Sequence, residues 1–545
     1  MSVKSQLEDI AHYRNAYFLA LSAAMGSVFF GYDMCVAAGE RHNRGIIALP
    51  SFKSYFGLNA LNASAKAAVS GNIVAILQGG CFFGALGVGY FSNRFGRKPC
   101  MLAAGAIYII GSAIQAVVGL GTSEKRALSV LYFARSILCR AGVGMVSALV
   151  PAYVSESTPP AIRGRCTGMI QLANNLGIML SFWVNYSASK NISPTTQNQW
   201  RIPLAVQIVP GLLFVLLVPF QPESPRYLVE HEQYDRAARS LAFVARTCPD
   251  DKAVLATIEE IKADFVGKNK LSILQQIVRM GESRAIALRC AIPSLVMFFQ
   301  QWTGTNAINY FSPQIFASLG INGTTAGLLA TGVYGVVKVV SVAMVLAFAV
   351  EGIGRKKCLI IGGLGQAATM LWLGGFTAVH PSSTPVPASY VSIVAVYLYA
   401  VFYCIGWGPL PWVVAGEVAP NHLRTGAMSI AVGVNWLFSF TISKLTPIML
   451  NEIKYGTFLL FGFCCLLMAF WVWLCLPETT GHALEDIGLL FEKDVILRSL
   501  QDAPGGRVFI GKRRATPIGE LRAAEADPDA KIALEDVEVK EALPI

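Results

Sequence analysis

The stretch Phe299-Gln300-Gln301-Trp302-Thr303-Gly304-Thr305-Asn306-Ala307-Ile308-Asn309-Tyr310-Phe311-Ser312-Pro313 lies inside an apolar run from Ala291 to Ser318. That run is long enough to cross a bilayer. It places four side-chain amides where hydrocarbon supplies no hydrogen-bond partner, so they must face a cavity or a ligand. At about 100° per residue, Gln300, Gln301, Asn306 and Asn309 spread too widely to share one face of a rigid helix. Gly304, between two threonines, is a natural place for such a helix to loosen. The stretch reads as a polar binding site built into a membrane helix. Amides also bridge packed spans, but four of them plus Tyr310 within eleven residues favour a site.

The rest of the chain has the composition of a polytopic membrane protein. It has 545 residues, 54% hydrophobic and 14% charged, with a mean hydropathy of +0.51, which excludes a soluble globular protein. Apolar runs near the length of a span fall at 15–37, 67–91, 100–120, 128–151, 167–187, 203–220, 291–318, 325–349, 358–379, 389–415, 426–448 and 456–476. The expected organisation is an N-terminal tail (1–14), a six-helix bundle (15–220), linker helices (221–284), a second six-helix bundle (285–480) and a largely disordered tail (481–545). Within the linker, Pro225 to Ala245 has Leu228, Leu241 and Val244 on one apolar side.

The first run is too long to be a cleaved signal peptide, which puts both termini on one side of the membrane. Net charge is +11. The basic residues gather in short loops beside spans rather than in a nucleic-acid patch, and the loops holding Arg94, Arg97 and Lys98, then Arg163 and Arg165, then Arg355, Lys356 and Lys357, are expected in the cytosol. The glycosylation sequons at Asn62, Asn185, Asn191 and Asn322 then fall outside and make the chain a candidate glycoprotein. The first external loop departs from this pattern with Arg41, Arg44, Lys53 and Lys66. Twelve scattered cysteines and six histidines at span ends or in loops suggest neither a metal cluster nor a catalytic pair. Gly363-x-Gly365 lacks the strand of a nucleotide loop, and no cofactor is expected.

The two halves repeat. Asn93-Arg94-Phe95-Gly96-Arg97-Lys98 recurs as Glu351-Gly352-Ile353-Gly354-Arg355-Lys356, an offset of 354 − 96 = 258. Glu156 and Arg163 recur as Glu417 and Arg424, each 261 residues on, and Pro222-Glu223 recurs as Pro477-Glu478 at 255. Near-constant offsets indicate duplication of a six-span unit, with two bundles about a central cavity. Arg94, Arg97, Arg163, Arg355 and Arg424 lie beside Glu156, Glu223, Glu417 and Glu478 at the cytosolic ends of spans. The expectation is a charge lock joining the two bundles when the cavity faces out.

These residues resemble a known family from about 15 to 490. The matching pieces are Phe30-Gly31-Tyr32-Asp33, Arg94-x-Gly96-Arg97-Lys98, Pro151-x-Tyr153-x-Ser155-Glu156, Pro222-Glu223-Ser224-Pro225-Arg226, Gln300-Gln301-x-x-Gly304-x-Asn306, Gly408-Pro409-x-Pro411-Trp412, Asn435-Trp436 and Pro477-Glu478-Thr479. The chain is similar to sugar porters of the major facilitator superfamily, fungal hexose transporters above all. The resemblance implies an all-α membrane protein with twelve transmembrane helices in two pseudo-symmetric bundles. It also implies that Gln171, Gln300, Gln301, Asn306, Trp412 and Asn435 line a sugar site. The chemistry fits, because an amide offers a donor and an acceptor to vicinal hydroxyls and an indole can cover the apolar face of a pyranose. Pro409 and Pro411 around Leu410 should break the tenth span and let it act as a gate.

Asp33 is the only acid well inside a span. A carboxylate there is costly unless paired or protonated, and its protonation should respond to whether the cavity is wet, as proton coupling requires. The family's symporters carry an acid at this place. The family pattern puts the partner arginine at 136, where this chain has Ser136; Arg135 is one residue off, and Arg140, one turn on and on nearly the same face, is the expected partner of Asp33. A second departure is the charged run Cys35-Val36-Ala37-Ala38-Gly39-Glu40-Arg41-His42-Asn43-Arg44 after the first span. Lys338 lies about 18 Å from the inner end of its span, too far to snorkel. With Arg140 it argues for an anionic substrate such as quinate or a sugar acid, but the fungal porters for neutral sugars that this chain resembles often carry a lysine there.

The leading expectation is a monomeric plasma-membrane carrier moving a monosaccharide, a hexose first, inward with a proton through the lipid bilayer. Alternatives are an uncoupled facilitator, a quinate or polyol carrier, and a non-transporting sugar receptor. An enzyme is the least favoured class, because no nucleophile, metal site or cofactor loop appears in a polar segment.

Overall fold

Gly304 takes φ +84° and ends the helix Arg284–Trp302, and helical turns resume over 305–309. The seventh span is therefore broken at the residue where the amide spacing required it to loosen. This is a feature of a computed structural model that describes residues 11–36, 46, 49–56, 63–118, 124–134, 139–159, 162–265, 273–309, 324–348, 353–380, 386–420, 423–480, 486–491 and 495–502. Outside the described residues lie Tyr310 to Pro313, residues 37–44 of the charged run, Arg135 and Ser136, and the sequons at Asn62 and Asn322.

The described elements are all helical. The spans are Arg14–Val36, Ala63–Phe95, Arg97–Val117, Glu124–Phe133 followed by Arg140–Ser157, Arg163–Asn191, Asn198–Val206 followed by Ile208–Leu217, and Arg284–Trp302 with its continuation. The remaining five are Thr324–Phe348, Arg355–Val379, Pro387–Ile405 followed by Leu410–Val418, Arg424–Glu452 and Gly456–Cys475. Eight of these, among the described residues, are long and apolar enough to cross a membrane unaided. The second, fourth, fifth and seventh are not among the eight. The last three of these share a reason. They carry Arg140, then Gln171, Asn174, Asn175 and Asn185, then the amides of the seventh span, and a span with such groups must turn them into the protein.

Each half has its own core. Leu19, Phe29, Tyr108, Val143, Tyr153 and Phe214 pack in the N-terminal half, and Val296, Tyr334, Met370, Tyr399, Trp407 and Phe461 in the C-terminal half. Phe83, Ile110, Leu216, Val379 and Phe463 are exposed, the arrangement expected of side chains facing lipid. The halves meet where the second span touches the eleventh, Gln78 Nε2 donating to Ser443 Oγ at 3.3 Å, and where the fourth touches the eleventh, Trp436 Nε1 donating to Ser147 Oγ at 3.1 Å. Gly335 of the eighth span lies against Met179 of the fifth, where an added Cβ would stand 3.0 Å from the Met179 Cα.

The duplication is visible as matched helix starts. Gly96 and Gly354, at φ +98° and +93°, are the N-caps of the third and ninth spans. Glu223 accepts the backbone N–H groups of Arg97 and Lys98, at 3.0 and 3.1 Å. Glu478 accepts those of Arg355 and Lys356, at 2.9 and 3.1 Å. A carboxylate satisfies the first unpaired donors of a helix and meets the positive end of its dipole. Glu223 and Glu478 are thus helix caps, which corrects the expectation that they belong to the charge lock.

One further expectation is corrected. Pro225 to Ala245 is two helices, Pro225–Glu230 and Tyr234–Ala245, because Glu232 adopts φ +61° between them. Leu228 and Val244 are buried as the pattern required, but Leu228 packs with Leu241 in the linker's own core while Val244 joins the core of the N-terminal half. Within the tail 481–545, expected to be largely disordered, the described residues form helical turns at Asp486–Phe491 and a helix at Val495–Asp502, and 503–545 lie outside the described residues. Ser499 of that helix donates to Leu476 O at 3.0 Å and to Trp473 O at 3.1 Å, which ties it to the twelfth span.

Candidate functional site

The breaks in the seventh and tenth spans face each other and complete each other's hydrogen bonds. Residues 406–409 interrupt the tenth span and leave carbonyls without helical donors. Gln300 Nε2 donates to two of them, Trp407 O at 2.9 Å and Gly408 O at 3.0 Å, while Asn435 Nδ2 donates to Gln300 Oε1 at 2.8 Å. Tyr399 Oη donates to Thr303 O at 2.9 Å beside the other break, and Trp407 Nε1 to Leu359 O at 2.9 Å. Asn306 Nδ2 donates to Gln301 Oε1 and, at 3.0 Å, to Ser439 Oγ. The amides therefore both stabilise the interrupted backbone and form a polar wall.

That wall closes one side of a cavity between the halves. Gln171, Gln300, Gln301, Asn306, Trp412 and Asn435, the six expected residues, all line it. It also has walls that the motifs did not single out: Asn174, one turn from Gln171; Ser439, one turn from Asn435; and Tyr403, Ser147 and Trp436. The first two could have been found from helical spacing. Lys338 lines the same cavity and is 2% exposed.

Asp33 and Arg140 meet beside this cavity rather than in it. Arg140 Nε lies 2.8 Å from Asp33 Oδ2, and Nη2 donates to the Asp33 carbonyl at 3.0 Å. Phe30 and Met34, which flank Asp33 on the first span, do reach the cavity wall. A displacement of that span would be felt by both sites.

A second cavity opens between the halves at the charged end and meets the first at Pro151, Thr167 and Trp412, which line both. Glu156, Arg163, Glu417 and Arg424 line it, together with Arg97. Arg97 grips Glu156 through two bonds, Nε to Oε2 at 3.0 Å and Nη2 to Oε1 at 3.1 Å. Arg355 Nη2 meets Glu417 Oε1 at 2.7 Å. These pairs join the third span to the fourth and the ninth to the tenth within a half, while across the halves Arg163 acts electrostatically on Glu417 and Glu156 on Arg424, the pairing that a lock between the halves calls for. Arg163 and Arg424 reach the cavity from opposite halves. Arg94 is exposed, its guanidinium over the Phe95 ring at 5.6 Å, away from the acids. Burial pushes the Glu223 carboxyl above its ordinary range, against the pull of the backbone N–H groups it accepts.

Residues 19–491 match the family model described as sugar (and other) transporter. A probable quinate permease of Aspergillus fumigatus is 34% identical over 494 residues, 89% of this chain and 88% of the relative. The quinate permease of Neurospora terricola is 33% identical over 489 residues, 87% and 88% of the two chains. Among solved structures, the proton:xylose symporter XylE bound to 6-bromo-6-deoxy-D-glucose matches with a TM-score of 0.75 at 27% identity, covering 88% of this chain and 100% of that one. The inward open conformation of the xylose transporter XylE from E. coli matches at 0.67 and 28%, with the same coverage. The chain belongs to the sugar porters of the major facilitator superfamily, membrane transporters built from two six-helix bundles.

Proposed function

We propose that this porter moves a monosaccharide, a hexose first, inward across the plasma membrane by alternating access, together with a proton. The observation that carries this reading is the cavity between the halves, walled by Gln171 from one half and by Gln300, Gln301, Asn306, Trp412 and Asn435 from the other. A ligand held from both sides couples its binding to the rocking of residues 15–220 against 285–480, with 221–284 as a brace on the cytosolic side. Trp412, shared by the central cavity and the one at the charged end, is placed to act as the inner gate. The basic ends of the spans favour a cytosolic position for that end and for both termini.

Asp33 is the proton site in this reading and Arg140 its counter-charge. Protonation of Asp33 releases Arg140 and frees the first span to move, which Phe30 and Met34 pass to the cavity wall. A second reading, carriage of quinate or a polyol, is favoured by Lys338 on the cavity wall and by the names of the curated relatives.

Uptake of labelled glucose in cells without hexose carriers of their own, with and without a protonophore, is the test. Accumulation that collapses with the gradient supports symport. Equilibration that ignores the protonophore replaces it with facilitation, and binding without uptake replaces it with a receptor.

A further inference from the structure

Lys338 is the one charged residue among the described residues that line the central cavity. It is fourteen residues from the start of Thr324–Phe348 and ten from its end, about 15 Å from the nearer end at 1.5 Å per residue. Its ammonium cannot reach water along the helix. Nζ is 3.4 Å from Asn309 Oδ1, and it sits over the rings of Tyr403 and Tyr334, at 5.1 and 5.8 Å from their centroids. These neighbours are neutral. No carboxylate stands within ion-pair distance of it among the described residues. The other cation buried near mid-membrane, Arg140, is matched by Asp33 at 2.8 Å.

The cavity therefore combines a wall of hydroxyl-recognising amides and indole with a single buried positive charge. A neutral sugar leaves that charge without a counter-ion, and a carboxylate on the ligand supplies one in a low-dielectric site. Asn309 would remain as the second partner of the ammonium, and Tyr403 lines the same wall. We infer that Lys338 is the carboxylate-binding residue of this cavity, and that the porter takes a polyhydroxylated ring monocarboxylate, of which quinate is the available probe, in preference to a neutral ring of the same size. This rests on the second reading above, in which the central cavity carries a quinate-like solute in place of a hexose.

The test compares quinate with its uncharged methyl ester, each as a labelled substrate and as a competitor, in cells expressing the full chain with a fluorescent tag that reports its amount at the membrane. In the wild type, quinate should be at least tenfold better than the ester. K338M should lose that advantage by raising the quinate KM at least tenfold while the ester KM stays put, and K338R should keep it. A lysine with only a packing role would change both substrates in proportion. Equal handling of quinate and ester by the wild type overturns the inference, and so does a proportional loss in K338M. Where K338M does not reach the membrane, the wild-type comparison decides. Uptake of glucose without uptake of or competition by quinate defeats the inference and leaves sugar transport standing. Absence of uptake for every substrate, with the tag at the membrane, defeats both.

Discussion

Arg140 holds Asp33 at two points, side chain to side chain at 2.8 Å and Nη2 to backbone carbonyl at 3.0 Å, with both side chains 1% or less exposed. A buried pair of this kind gains little over an apolar substitute, but removing one partner strands the other charge at a cost of about 3–5 kcal/mol. The pair is poised so that adding a proton to Asp33 has a large structural consequence.

Asp33→Asn should abolish concentrative uptake, at least a tenfold fall in accumulation ratio, while exchange of substrate across a membrane without a gradient persists. The stranded Arg140 should also lower the amount of protein at the membrane, and Asp33→Asn combined with Arg140→Gln should recover it. Accumulation by Asp33→Asn that still follows the pH gradient would move the proton site elsewhere.

Gln300 and Gln171 line one cavity but differ in structural duty. Gln300→Ala leaves two carbonyls of the tenth span without this donor and the Asn435 amide with only its contacts to Met297, at about 1–3 kcal/mol for each buried group left unpaired. We expect a lowered thermal midpoint in detergent as well as lost uptake. Gln171→Ala should raise KM several-fold with the midpoint within a degree or two of wild type. Equal midpoints for the two variants would show that the Gln300 bonds add nothing to the tenth-span break.

The two helix caps should fail alike. At Gly96 and Gly354 an added Cβ would meet Glu223 Oε2 and Glu478 Oε2, both at 2.5 Å, on a backbone with positive φ. Gly96→Ala and Gly354→Ala should each destabilise by about 1–3 kcal/mol, read as loss of monodisperse protein on heating. A large effect at one position and none at the other would break the equivalence of the repeats.

Glu223 supplies a pH signature. Because burial raises its carboxyl above the ordinary value near 4.3, the folded chain binds this proton more readily than the unfolded one. The stability this gives is present below the ordinary value and lost as pH rises through the folded one. Relative to Glu223→Gln, the wild-type midpoint should fall between mild acid and neutrality. A relative midpoint that rises over that window would mean that the backbone donors outweigh burial.

Of the sequons within the described residues, one is accessible. Asn185 is 1% exposed and donates to Val36 O at 3.3 Å inside the fold, whereas Asn191 is exposed at the end of Arg163–Asn191. With that end outside the cell, Asn191→Gln should increase electrophoretic mobility as glycosidase treatment does, and Asn185→Gln should not. Mobility unchanged by Asn191→Gln would leave this site unmodified.

Hydropathy, amide spacing and the Gly-Pro pattern are local, and they determined much of this protein from sequence. They located the twelve spans, the breaks at Gly304 and around Pro409, and Gln300, Gln301 and Asn306 of the cavity wall, while the duplication was legible in repeated charged motifs and Gln171, Trp412 and Asn435 in the resemblance to the sugar porters. A polar group in an apolar run must turn inward, and helical period says which neighbours turn with it. The tertiary structure decided the partners, which lie far apart in sequence and are chosen by how the helices are rotated and packed. Gln300 reaches carbonyls 107 residues away, and Glu223 and Glu478 close on helix starts more than 120 residues off. Arg97 and Arg355 turn to acids within their own halves. The same packing buried Asn185, which sequence alone left as one sequon among four, and set Lys338 on the cavity wall without an acid beside it among the described residues.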